Sequence, residues 1–306
     1  MHTANPTSSV TSSPFRSALV LIAMALLTGS GWAQDAASAD DDPQLVEASC
    51  FADVDSIAPG ASFRIACELE MAPHWHIYWK DPGESGAATS MKIETPTGFT
   101  LGALEWPRPQ VLDADGSRCH GYEGSVILFA AVTAPEVLTG DDVAVFTIDL
   151  RWLVCRDVCV MGRDRQQITL PTGVDDAGAS APGAEETAGV AEQRARLETM
   201  ARRVPRAATP EADCVSESNG ARVIATGPAL GHQSAELILI DVPGITVDAP
   251  TLSFGDGRWR LEAACAVDPG NLLGGKPRFA AVVALGETLD DPSFEISCPL
   301  AVPKPR

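Results

Sequence analysis

The sequence predicts an all-β protein: an antiparallel β-sandwich, a linker with one helix, and a second, smaller β-sandwich. Three observations predict it. Short β-type runs alternate with Pro- or Gly-bearing turns such as Ala58-Pro59-Gly60, Asp81-Pro82-Gly83 and Thr139-Gly140-Asp141. No helical pattern long enough for a βαβ crossover interrupts the first run of strands, so a doubly wound nucleotide-binding fold is excluded there. The length of 306 residues calls for about two domains.

Composition narrows the function. Hydrophobic residues at 45% and charged residues at 21% are ordinary for a globular chain and support a sizeable core. With 41 acidic against 22 basic residues and a net charge of −19, the chain has no means of neutralising a run of phosphates, which excludes a nucleic-acid partner. Six aromatic residues are Trp, and Trp75, Trp79 and Trp106 fall close together. Packing is the first reading for these and for Trp152, with a docking surface near the cysteines as the second.

Residues 1–33 read as a secretory signal: Arg16, then an apolar run over 18–27, then small residues up to Ala33. That run is about half the length of a membrane span. No later stretch reads as a span, so the mature chain is expected to be exported, periplasmic or secreted, and not membrane-spanning. Residues 34–43 are rich in Ala, Ser and Asp and are expected to form a mobile leader.

The first sandwich is expected over 44–171, with strands at 45–54, 62–71, 74–79, 125–133 and 143–154. Residues 172–210 are linker and helix. Val190, Leu197, Met200 and Val204 recur at helical spacing. Glu185, Glu186 and Glu192 come early, Arg202 and Arg203 late, and Pro205 closes the run. The second sandwich is expected over 211–303, with strands at 221–226, 235–241, 258–267, 279–285 and 294–299.

Export makes the eight cysteines candidates for pairing. Cys50 and Cys67 flank the Ala58-Pro59-Gly60 turn almost symmetrically, so a hairpin would set them opposite each other as a structural bridge. Cys214, Cys265 and Cys298 leave an odd thiol in the second half. The six cysteines outside the 155/159 pair allow 15 pairings, among which sequence does not choose.

Cys155 and Cys159 differ from the rest. In an extended strand their Cα atoms would be about 13 Å apart, beyond the reach of a bond that needs less than about 7 Å, so the backbone must turn between them. Closing so short a loop stabilises little, which suits a switch better than a staple. Arg151, Arg156, Arg163 and Arg165 lie nearby and would favour thiolate, with Asp157 opposing them. A redox pair, a structural disulfide and a metal site all remain open on spacing and charge.

Several blocks, in order, then resemble the motifs of one family. His74-Trp75-His76-Ile77-Tyr78-Trp79 with Asp81-Pro82-Gly83-Glu84-Ser85-Gly86 resembles its "HWHTYW.NPGDSG" stretch, and Trp106-Pro107-Arg108-Pro109 its "WP.P". Gly121-Tyr122-Glu123-Gly124 resembles "GYEG", and residues 152–159 resemble "WLVCKEVC". Together these blocks resemble the N-terminal periplasmic region of DsbD-type and ScsB-type thiol:disulfide interchange proteins. The likeness covers 45–171 and weakens beyond. It implies an immunoglobulin-like sandwich whose cysteine pair cycles between dithiol and disulfide without metal or organic cofactor, a protein-disulfide reductase chemistry in settings that include cytochrome c biogenesis. Electrons would come from a thioredoxin-like or membrane donor and pass to an exported disulfide-bearing protein. The resemblance makes Cys159 the exposed attacking sulfur and Cys155 the resolving one. It places a cap loop over the pair at about 117–122, containing Cys119, His120 and Tyr122. The membrane-spanning and thioredoxin-like segments of full-length relatives have no counterpart in these 306 residues, so the direction of electron flow stays open.

The competing class is a binding module with Cys155 and Cys159 permanently bridged, docking a protein or holding copper. His74 and His76 would alternate on one strand and, with Met71, Met91, Cys119 or His120, offer a soft donor set. The ScsB branch's association with copper tolerance keeps that reading in play. Gly83-Glu84-Ser85-Gly86 lacks the spacing of a phosphate loop and the helix of a nucleophile elbow.

Overall fold

The computed structural model describes residues 44–114, 116–138, 143–172, 187–207, 213–217, 220–268, 270–272 and 277–300. The expected signal (1–33), the leader (34–43) and most of the expected linker lie outside the described residues. The fold is immunoglobulin-like and mainly β.

The strands of the first half are β1 (Val46–Ala52), β2 (Ser62–Met71), β3 (His76–Gly83), β4 (Ser90–Glu94), β5 (Thr100–Glu105), β6 (Gln110–Ala114), β7 (Ser117–Glu123), β8 (Ser125–Thr133), β9 (Val143–Cys155) and β10 (Cys159–Pro171). One sheet runs β1-β2-β8-β5 and the other β10-β9-β3-β7-β6, with β4 also paired to β9. Alternation builds their shared core. Phe146, Ile148, Leu150, Trp152 and Val154 of β9 point inward and meet Ile65 and Leu69 of β2, Ile77 and Trp79 of β3, and Leu128 of β8. Phe146 lies edge-on to Phe63 and Phe99, with ring centroids 5.7 and 5.3 Å away. Cys50 and Cys67 pair directly in the β1–β2 register and are bonded, as their placement about the turn predicts.

Helix α1 (Ala188–Ala201) is capped by Thr187, whose side chain accepts from the Val190 N–H. Its charges differ from expectation. Neither an acid in the first turn nor a base in the last complements the dipole, because Arg202 is already the C-cap and Arg203 lies past it. The helix is held by burying Leu197 and Met200 against the first core.

The second half comprises β11 (Arg206–Ala207), β12 (Asp213–Glu217), β13 (Gly220–Pro228), β14 (Ala235–Leu239), β15 (Ile245–Gly255), β16 (Arg258–Val267), β17 (Arg278–Leu285) and β18 (Ser293–Pro299). Its sheets run β11-β18-β17-β14 and β12-β13-β16-β15. The strand β11, inside the span expected to be linker, pairs in parallel with β18. Trp259, Leu261, Phe279, Val283 and Ile296 fill the second core. The unbroken apolar run of β17 has a physical cause. Phe279, Ala281, Val283 and Leu285 face the second core, while Val282 and Ala284 turn the other way and join the first. The halves therefore pack through the outer face of the β17–β14 sheet.

Two buried polar side chains tie that contact. Arg108 Nη1 donates to the Leu285 and Thr288 carbonyls at 3.0 and 2.9 Å. Asp81 accepts from the Asp241 N–H at 2.7 Å and from the Gly83 N–H at 2.9 Å.

Candidate redox site

The inward set of β9 ends at Val154, so Cys155 falls on the outer face of the sheet. Residues 156–158 reverse the chain, with the Arg156 N–H donating to the Val158 carbonyl at 3.1 Å. Strand β10 then returns with Cys159 paired to Cys155. The Cα atoms are 4.2 Å apart and the sulfurs are bonded at 2.03 Å.

The two sulfurs occupy unlike surroundings. Cys155 is 2% exposed and packs in a small cluster with Tyr78 and Cys119, bordered by Leu112, Ala114 and Leu153. Cys159 is exposed, and its neighbours Val158, Val160 and Met161 are 62, 43 and 79% exposed. An exposed apolar margin thus lies beside the open end of the bond, with Met161 on the same face as Cys159 and Val160 on the opposite face of β10. Sequence reasoning missed it, because exposure decides its meaning and periodicity does not supply exposure.

The arginines do not surround the sulfurs equally. Arg156, in the turn, pairs with Asp157 at 2.8 Å and lies 5.1 Å from the Trp75 ring centre. Arg151 and Arg163 face each other four positions along their strands, about 13 Å from the disulfide along the backbone. Arg165 is shared between Asp149 and Glu94, each at 3.8 Å. The expected cationic cluster on the thiols is therefore reduced to Arg156.

His76 sits opposite Cys155 in the β3–β9 register. Burial lowers its pKa below the ordinary 6.5, with Glu123 pulling weakly the other way, so the imidazole is neutral at pH 7. Burial, then the nearby Cys119, raises the Tyr78 phenol, which stays protonated.

The expected copper donors do not converge. His74 is exposed at φ 69 before β3 begins, so it does not alternate with His76 on a strand. Pro73 and this left-handed residue redirect the chain first. Met71 is core, and Met91 is half-buried against it. Cys119 and His120 are adjacent in β7 and point to opposite faces. Cys119 Sγ lies 3.0 Å from Ser85 Oγ, while His120 stands edge-on to Trp79 at 6.3 Å. Among the described residues no three metal-binding side chains cluster.

The expected cap loop is also corrected. Cys119, His120 and Tyr122 lie in strand β7, paired to β3 on one side and β6 on the other, and all three are buried. The tight β6–β7 reversal explains it: Gly116, at φ 82, donates its N–H to Asp113 Oδ1. Tyr122 donates its hydroxyl to the Pro107 carbonyl at 2.7 Å, joining two of the sequence blocks. The segment over the buried cluster is 84–89 instead. Glu84 and Arg118 exchange bonds there: the Glu84 N–H donates to the Arg118 carbonyl, and Glu84 Oε2 accepts from the Arg118 N–H. Gly86, at φ 99, lies so close to Tyr78 that a Cβ would fall 2.1 Å from its ring. The signal available in sequence was the Gly83–Gly86 spacing, which marks this close approach rather than a ligand loop.

An immunoglobulin-like sandwich with a disulfide closing the end of one hairpin defines the class: a domain that displays one sulfur and buries its mate. Residues 42–171 match the family model described as thiol:disulfide interchange protein DsbD, N-terminal. Among solved structures, the N-terminal periplasmic domain of ScsB from Proteus mirabilis is similar over 85% of this chain and 95% of its own, at TM-score 0.54 and 17% identity. The reduced DsbD N-terminal domain of Neisseria meningitidis aligns over 44% of this chain and 90% of its own, at TM-score 0.26 and 14% identity. No curated protein matches the sequence. No helix among the described residues is long and apolar enough to cross a membrane.

Proposed function

We propose that the chain is an exported, periplasmic or secreted thiol:disulfide interchange protein that reduces a disulfide-bearing protein through Cys159 and Cys155. One observation carries the reading: the bond joins an exposed cysteine to one that is 2% exposed. In the reduced protein the Cys159 thiolate attacks the acceptor disulfide, forming a mixed disulfide and releasing one acceptor thiolate. Cys155 then attacks Cys159 Sγ, which releases the second acceptor thiolate and restores the Cys155–Cys159 bond. Two electrons have passed to the acceptor. A thioredoxin-like or membrane donor restores the dithiol by attacking the accessible Cys159 sulfur. No cofactor enters this exchange.

The alternative is a docking module with a permanent bridge. Trapping separates the two. In an exported extract, the Cys155→Ser variant is expected to hold a partner through Cys159, identified by mass spectrometry, and Cys159→Ser is not. Capture by Cys159→Ser alone would reverse the roles, and capture by neither would favour the docking module.

A further inference from the structure

On the outer face of the β9–β10 hairpin the residues form successive cross-strand rungs. Below Cys155–Cys159 comes Leu153–Met161, and below that Arg151–Arg163. Each rung is about 6.6 Å from the next. Met161 is 79% exposed, and both arginines are exposed. Like charges directly opposite each other destabilise a strand pair, and in a chain of net charge −19 an acidic neighbour would be easy to supply. Among the described residues neither guanidinium has an ion-pair or hydrogen-bond partner. The local acids serve others: Asp157 is on Arg156, Asp149 and Glu94 are near Arg165, and Asp164 accepts from the Arg165 N–H and Gln166. Strand β10 is also outermost in its sheet. Gln166 bonds its far end to the Ala48 carbonyl and the Cys50 N–H of β1.

We propose that this strip docks an extended, acidic segment of the partner protein, laid antiparallel along β10, with a carboxylate four residues before its reactive cysteine. The cysteine then meets Cys159, the residue two before it packs on Met161, and the carboxylate sits on Arg151 and Arg163. The proposal rests on Cys159 being the sulfur that exchanges, and it adds what selects the partner. When such a segment carries the thiol, its thiolate bonds to Cys159 Sγ, the Cys155–Cys159 bond breaks, and Cys155 leaves as thiolate and takes a proton from solvent. A second thiol then attacks the mixed disulfide and leaves the dithiol.

The test uses two capped peptides, Glu-Gly-Leu-Gly-Cys and Lys-Gly-Leu-Gly-Cys, as reductants of the oxidised full chain. Rates are normalised to each peptide's reaction with the neutral disulfide of 2-mercaptoethanol, so that differences in thiol acidity cancel. At low ionic strength the Glu peptide is expected to react about tenfold faster, with the advantage shrinking at about 0.5 M salt. The ratio falls towards one in Arg151→Gln/Arg163→Gln and inverts in Arg151→Glu/Arg163→Glu. Equal rates for the two peptides, or a preference unchanged in both double variants, overturns the docking strip. If 2-mercaptoethanol opens the bond while the peptides react alike, the strip alone falls. If no thiol opens it, the exchange function falls with it.

Discussion

The carboxylate of Asp81, at the end of β3, accepts the backbone N–H of Asp241 at 2.7 Å across the contact between the two halves of the protein. Asp81 is 8% exposed and also accepts from Gly83, whose strand end leads into the 84–89 segment over Tyr78. Burial alone would raise its pKa. The influence of His120, then the Gly83 and Asp241 N–H groups, outweighs burial and holds it below the ordinary 3.8. His120 Nδ1 stands 3.7 Å away, longer than a hydrogen bond, so the two backbone donors are the firm contributors. Replacing Asp81 by Ala removes a charged acceptor from both N–H groups and is expected to cost about 1–3 kcal/mol in urea denaturation. Because the folded pKa is depressed, this contribution is complete above pH 3.8 and is lost as pH falls through the lower folded value. The difference between the wild type and Asp81→Ala should therefore narrow below pH 3.8.

Gly86→Ala tests which segment covers the buried cluster. Its Cβ would collide with the Tyr78 ring at 2.1 Å, and its φ of 99 disfavours any side chain. The expected loss is about 1–3 kcal/mol, with faster alkylation of Cys119 in the folded protein as Ser85 moves away. Gly116→Ala, at φ 82 with no atom within 4 Å of the added Cβ, is the control for backbone strain. Equal Cys119 alkylation in the two variants would mean that 84–89 is not the cover.

Much of this arrangement was legible in the sequence. The bounds of β2, β8 and β16 follow from their apolar runs, and the Cys50–Cys67 bridge from its symmetric turn. The bend between Cys155 and Cys159 follows from chain geometry. The remainder depended on neighbours. Strand β7 is covered on both faces, so Arg118-Cys119-His120-Gly121-Tyr122 shows no period and reads as loop. Strand β10 is largely exposed, and its Arg163-Asp164-Arg165-Gln166-Gln167 stretch reads as solvent-facing chain until it pairs with β9. Strand β15 carries Pro250 at a register shift, which hides it from a pattern search. His74 failed for a local reason: a left-handed residue after a proline ends the alternation that its spacing suggested.

The two disulfides of the first half should separate cleanly by role. Cys50 and Cys67 close a loop with a sequence separation of 17 between paired strands, and Cys67 is fully buried. Cys50→Ser/Cys67→Ser is expected to lose about 2–4 kcal/mol of stability. Exchange at Cys159, measured as reduction by dithiothreitol under native conditions, should be unchanged. Slowed exchange in that variant would mean that the two bridges are coupled.

Arg108→Ala tests how the halves hold together. Two carbonyls, of Leu285 and Thr288, lose a charged donor in a buried site. A loss of about 2–3 kcal/mol is expected, together with faster hydrogen exchange at the β17–β18 end of the second half. Protection unchanged at that end would remove Arg108 from the contact.

The most direct measurement is the reduction potential of the Cys155–Cys159 bond, found by equilibrating the full chain with glutathione buffers and counting trapped thiols by mass spectrometry. An exchange pair is expected to lie above about −300 mV and to open in glutathione while Cys50–Cys67 stays closed. A value below about −300 mV, with both bonds surviving the same buffers, would make Cys155–Cys159 a structural bridge and contradict the account.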